Sequence, residues 1–313
     1  MRIAFLGKGG SGKTTLSSLF ALYMDSQGYT VGLLDVDVNS HTADVVGAAE
    51  APHLSAESSL HDIRRYLVGT NSRITTDELL NTTPPGGGSN FWRLTEKNHL
   101  TKRYGGKFGA ASVLFTLGSY GSDGIGHSCH HGTQSIAENM LSHVKLRSRD
   151  VLVIDSVAGN DSFANSLYYQ DLLVFVVKPE REGVSVFARY YELARSAGIA
   201  SRVRVIGNCV MNETQRSFLE ASLPDGLLLG CMGMNETVIA ARLNDEPLSP
   251  GMLTDDEIAI CAAVRTAASQ LRRSPQDYYD HIVSLHKTVS AQGWVEGAYR
   301  SGLMDQIDTE YRP

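Results

Sequence analysis

The run Gly7-Lys8-Gly9-Gly10-Ser11-Gly12-Lys13-Thr14-Thr15 gathers, within a few residues, the groups needed to hold a nucleoside triphosphate. Glycines let successive backbone N–H groups turn inward around a phosphate, at the positive end of the helix that follows. Lys13 then reaches the terminal phosphates, and the Thr14 hydroxyl is placed for Mg²⁺. Gly9, Gly10, Ser11, Gly12, Lys13, Thr14 and Thr15 are the expected nucleotide contacts. Two further segments bring carboxylates. Leu34-Asp35-Val36-Asp37 ends an apolar run, and alternate residues of an extended segment share a face, so Asp35 and Asp37 both look toward metal and phosphates. Val151-Leu152-Val153-Ile154-Asp155 is a hydrophobic strand closing on an aspartate, which can hold a Mg²⁺-bound water beside Thr14.

Positioning these groups requires strands that all end on one side of a sheet. Apolar runs at Arg2–Leu6, Val31–Asp35, Ser112–Leu117, Val151–Asp155, Leu172–Val177, Val203–Gly207 and Leu227–Cys231 predict those strands. Several are apolar throughout, as strands covered on both faces must be. Between them, helical spacing predicts helices over Thr14–Gln27, Gln134–Leu146, Gly183–Ala197, Glu213–Ser222, Glu236–Asn244 and Asp255–Leu271. The alternation implies an α/β fold, a doubly wound and mostly parallel sheet flanked by helices. Residues 1–273 form the expected ATPase domain. Its interruption at about 48–110 is polar and irregular, with a short helix near Ser59–Val68 and then a mobile loop. Residues 274–313 form a helical tail of one or two amphipathic helices carrying Tyr278, Tyr279, Ile282, Leu285 and Val289, placed to pack across the body or to meet a partner.

A second constellation lies in Gly124-Ile125-Gly126-His127-Ser128-Cys129-His130-His131-Gly132. Three histidines and a cysteine fall within five residues of a chain that has 10 histidines and 4 cysteines in all. In an extended loop His127 and Cys129 point the same way, and His130 or His131 can add a third donor. Imidazole and thiolate suit zinc, nickel or copper rather than calcium or magnesium. Two copies meeting at a dimer axis would offer four ligands; without metal, the histidines would make polar contacts in an interface loop.

The loop with two lysines resembles the deviant Walker A motif of the ParA/MinD/nitrogenase-iron-protein class of P-loop NTPases. That resemblance implies a homodimer around two ATP molecules, with Lys8 reaching the partner's nucleotide. It also assigns roles: Asp37 in switch I orients the attacking water, and Asp35 supports the metal's water shell. Val157-Ala158-Gly159 is similar to the switch II that senses the γ-phosphate, and Gly207-Asn208 to the strand end whose asparagine bonds adenine. From Met1 to about Leu248 the chain further resembles the CooC-type ATPases that help insert nickel into carbon monoxide dehydrogenase. Those carry Cys-x-Cys where this chain has His127-Ser128-Cys129. The resemblance implies a slow ATPase (ATP to ADP and phosphate) that uses ATP, Mg²⁺ and Ni²⁺ or Zn²⁺ to load a client metalloenzyme. The alternative is a spatial or regulatory switch acting through protein partners without metal.

Composition narrows the remaining classes. An iron–sulfur cluster shared by two subunits needs two cysteines from each; the second is expected just after Asp155, where this chain has Val157-Ala158-Gly159, and Cys209, Cys231 and Cys261 sit on later elements. A net charge of −6 argues against a general nucleic-acid coat. The final residues, Gly302 to Pro313, are acidic and lack lysine, unlike a basic membrane-anchoring helix. With no signal-peptide pattern, no long apolar span and widely spaced cysteines (Cys129, Cys209, Cys231, Cys261), a cytoplasmic protein is expected.

Overall fold

Continuous apolar runs such as Leu172–Val177 have no polar face to offer water, and they become strands buried on both sides. The computed structural model describes residues 1–37, 41–118, 130–164, 166–293, 295 and 302–313, with only the backbone described at 130–133 and 164. Among these residues the strands are β1 (Arg2–Gly7), β2 (Thr30–Asp35), β3 (Gly106–Phe108), β4 (Ser112–Thr116), β5 (Asp150–Asp155), β6 (Leu172–Val177), β7 (Val203–Gly207) and β8 (Leu228–Cys231). They form one sheet in the order β3-β4-β2-β5-β1-β6-β7-β8. Every pairing is parallel except the antiparallel edge of β3 on β4. The helices are α1 (Lys13–Ser26), α2 (Thr42–Val46), α3 (Glu57–Val68), α4 (His99–Tyr104), α5 (His130–Ser142), α6 (Arg181–Ser196), α7 (Glu213–Ser222), α8 (Glu236–Leu243), α9 (Asp255–Gln270) and α10 (Pro275–Ser290).

Alternation along β1 shows how the layers form. Ala4 and Leu6 face a core completed by Ile136 and Met140 of α5 and Phe187 and Tyr190 of α6. Ile3 and Phe5 face the other core, with Leu16, Leu19 and Phe20 of α1 and Ile260 and Val264 of α9. The doubly wound expectation is met, with helices on both faces.

Two expectations change. The helix expected over Gln134–Leu146 runs from His130 to Ser142 instead. It stops early because the chain must then straighten beside Trp92: Trp92 N donates to His143 O, Lys145 N donates to Trp92 O, and Val144 bridges to Trp92. The stretch expected as a polar insertion also contributes to the core. Trp92 is 1% exposed, meets Phe115 edge-on, and donates its indole N–H to Met140 O at 2.7 Å. The residues after α3 lack regular structure up to α4, yet Thr82, Thr83 and Pro84 to Gly86 are buried.

What buries them is the tail. A Ser274/Asp277 capping box with Pro275 at the first turn starts α10, whose Tyr278, Tyr279, Ile282 and His286 turn inward. Beyond it a 3₁₀ turn at Leu303–Gln306 closes on the insertion. The Thr83 hydroxyl donates to Gln306 Oε1 at 2.8 Å, Gln306 Nε2 donates to Glu78 O at 3.0 Å, and Gly87 N donates to Asp308 Oδ2 at 2.9 Å. Leu80, Val295 and Leu303 add a small apolar cluster. The two segments that break the sequence alternation are each other's packing partners. No described helix is long and apolar enough to cross a membrane.

Candidate nucleotide site

The sheet register assembles this site. Asp35 lies opposite Asp155, and Asp155 opposite Phe5, so β2, β5 and β1 end side by side, next to the loop between β1 and α1. In that loop Ser11 N donates to Lys8 O at 3.0 Å, closing a tight turn. Gly10 (φ +76°) and Gly12 (φ +95°) adopt left-handed backbone, and a Cβ on Gly12 would run into the Asn208 amide. Lys13 is thereby the first residue of α1, with its stem buried.

Lys13 Nζ lies 3.0 Å from Asp37 Oδ2. Asp37 is held there by its own backbone, whose N–H donates to Asp35 Oδ1 at 3.0 Å. The two aspartates therefore meet through a side-chain-closed turn beyond the end of β2, rather than through strand alternation. Asp155 is fully buried, and neither carboxylate oxygen has a hydrogen bond of good geometry among the described residues, although the Thr14 hydroxyl lies close by. Burial pushes its carboxyl well above the usual carboxylate range, and the charge of Asp35 adds to this; Lys13 and the Thr14 hydroxyl pull it back. A buried carboxylate without a well-formed hydrogen bond, next to two more aspartates and a threonine hydroxyl, fits a hard divalent cation. Among the described residues no three His, Cys, Asp or Glu side chains form a complete metal-binding set.

Around this centre the remaining expected residues fall as follows. Gly159 N donates to Gly7 O at 2.9 Å, which ties the Val157-Ala158-Gly159 segment to the loop. Asn208 donates its side-chain N–H to Ser11 O at 2.8 Å and borders a cleft of about 340 Å³, together with Gly10, Gly12, Thr15 and Met232. The cleft is of the size that holds a small ligand. Lys8 lies at the outer edge of the loop, half exposed, with Nζ 3.4 Å from Glu180 Oε1. Glu180, and the Met232–Asn235 loop along the cleft, were not expected from the motifs. Both follow strand ends on this rim (β6 and β8), and the carboxyl-end rule for open α/β sheets could have found them. His127 and Cys129 lie outside the described residues; His130 opens α5 rather than continuing a loop, and its side chain lies outside them too.

Comparison with known proteins finds relatives that bind ATP and structures of the same fold. A family model described as ParA, NUBPL iron-transfer P-loop NTPase matches residues 3–72. The chain is 27% identical to an uncharacterised ATP-binding protein of Methanocaldococcus jannaschii, over 80% of this chain and 91% of that one. It is 25% identical to the carbon monoxide dehydrogenase accessory protein CooC of Rhodospirillum rubrum, over 77% of this chain and 86% of that one. Among solved structures, the septum site-determining protein MinD with Mg-ADP from Pyrococcus horikoshii aligns with a TM-score of 0.55 at 15% identity, covering 87% of this chain and 99% of that one. A putative plasmid partition protein of Borrelia burgdorferi bound to AMPPNP also gives 0.55, at 13% identity, covering 86% and 98%. At such identities the structural likeness is one of fold.

Proposed function

We propose that this chain, a ParA/MinD-type P-loop NTPase with CooC as a distant relative, hydrolyses ATP slowly as a cytoplasmic homodimer and uses the cycle to load or mature a metalloenzyme. The observation that carries the reading is the convergence of Lys13, Asp35, Asp37 and Asp155 beside the glycine loop. Gly9 to Thr15 hold the phosphates, and Asn208 with its cleft takes the adenine. Mg²⁺ would be held by Thr14, with Asp35 and Asp155 behind it, and when bound it spreads the charge of the transferring phosphoryl group. The triphosphate competes with Asp37 for Lys13. Asp37, released, takes the role of holding the attacking water in line. Lys8, already at the rim and paired, among the described residues, to a half-exposed glutamate, can swing toward a partner's nucleotide.

In this reading residues 1–273 are the ATPase body and 274–313 its tail. The metal site is assigned to His127, Cys129 and His130 of two facing copies, and Ni²⁺ or Zn²⁺ is the cargo.

The test is metal stoichiometry on anaerobically purified protein, with nickel and zinc offered separately in the presence of ADP or a non-hydrolysable ATP analogue. About one ion per dimer, lost in Cys129→Ala, is expected for a shared four-ligand site. Intact ATP turnover with no bound ion in any nucleotide state would overturn metal loading, leaving a nucleotide switch that acts through protein partners.

A further inference from the structure

The opposite rim of the sheet carries a second cleft, of about 330 Å³, between the start of β1, the insertion and α10. Its charged side chains are Arg2, Arg93, Lys145, Arg272 and Arg273 against Asp171. Asp171 is buried, and its two oxygens accept from backbone N–H groups, of Arg2 at 2.8 Å and Arg273 at 2.8 Å. None of the five cations is ion-paired with a carboxylate among the described residues, although Pro313 borders the same cleft.

Aromatic faces hold three of the cations in place. The Arg2 guanidinium lies 4.1 Å from the centre of the Tyr278 ring, Lys145 Nζ 4.1 Å from that of Phe91, and the Arg273 guanidinium 3.5 Å from that of Tyr169. An aromatic face orients a cation without cancelling its charge. Arg2 Nε is moreover buried with no hydrogen-bond partner. Like charges gathered in this way repel, and that cost is recovered only when an anion enters.

We infer that this cleft binds a small phosphorylated metabolite carrying two phosphate groups. The excess of positive charge, four by the side chains above, calls for several negative charges on few atoms. Each phosphate monoester brings about −1.5 to −2, and arginine forks match its oxygens in pairs. The site is separate from the nucleotide loop and does not depend on the metal-loading reading. It exists because insertion and tail close over the body, so its occupant also braces that contact.

Inorganic pyrophosphate is the probe, titrated calorimetrically into the full chain carrying Lys13→Ala, which silences the nucleotide loop. One equivalent is expected to bind, and adding Lys145→Gln and Arg272→Gln should weaken it at least about tenfold, as expected for losing charge-assisted contacts. The unliganded melting midpoint reports on folding; if it falls, the single exposed change Arg93→Gln should still weaken binding severalfold. No binding to the Lys13→Ala chain, or binding indifferent to all three substitutions, would overturn the site. Citrate binding as tightly as pyrophosphate would overturn the phosphate assignment in favour of a polycarboxylate.

Discussion

The two rims of one parallel sheet carry opposite charge by opposite means. At the carboxyl rim Asp35, Asp37 and Asp155 crowd around Lys13, each placed by a strand end or the turn that follows it. At the amino rim cations from β1, the insertion, the segment after α5 and the residues before α10 face one buried carboxylate, Asp171. The first site is local: a loop, a helix start and two neighbouring strands. The second depends on a tail whose bonds to Glu78, Thr82, Thr83 and Gly87 of the insertion join residues 204 to 228 positions apart in sequence. A site hung from short motifs on neighbouring strand ends tolerates change elsewhere, whereas one built from the packing of insertion and tail shares the fate of that packing.

That contrast is broken most directly by Lys13→Ala. Nucleotide affinity should fall at least roughly 100-fold in a calorimetric titration, as expected for a lost charge-assisted phosphate contact. The melting midpoint should stay near that of the unliganded parent. Asp37→Ala should keep binding and lose turnover on the order of 100-fold; normal turnover would remove Asp37 from the water-holding role.

Acid should act on the other rim. Burial pushes His143 down to about 4 and His281 also to about 4, the nearby Arg273 charge adding at the latter, and burial lowers His286 against its bond to Leu303 O. His143 lies beside Trp92, while His281 and His286 lie on α10. Because the folded form takes up protons less readily than unfolded histidines at 6.5, their contribution to stability is complete above that pH. It is lost as pH falls from there toward about 4. Melting midpoints measured from pH 7.5 down to pH 5 should decline, most steeply for probes in the tail. Asp155, whose raised carboxyl takes up a proton in the same range, works the other way, so the test is made on Asp155→Asn, where an unchanged midpoint would mean these rings take up protons as readily folded as unfolded.

A smaller effect should come from Gln306→Ala. It strands the buried Thr83 hydroxyl donor, at a cost of about 1–3 kcal/mol. ATP affinity should not move. Denaturant titration reads the first quantity, and an unchanged midpoint concentration would show that the tail latch adds no stability.

Much of the nucleotide rim was legible in advance because its chemistry follows short spacings. Lys13 and Thr14 follow the glycines directly, and Asp155 ends an apolar run whose strand character needs no long-range contact. The Lys13–Asp37 pair was not legible, because it depends on the chain turning after Asp35 through a side-chain-to-backbone bond. Nor was the burial of Trp92: isolated apolar residues in a polar stretch have no period to mark an inward face. The early end of α5 has the same origin, since the helical pattern continues in sequence where pairing with Trp92 draws the backbone out of it.

By itself the sequence determined the layered α/β class, the order of the seven longer strands with the helices between them, and the identity of the groups at the glycine loop, but not β3, α2 or α4. Each rests on hydrophobic period or on chemistry within a few residues. Only the tertiary structure decided that insertion and tail interlock, that Asp35 holds Asp37 against Lys13, and that the cations of the amino rim share a cleft. Those arrangements join residues far apart in the chain, where burial and charge act through space and leave no periodic trace in the order of amino acids.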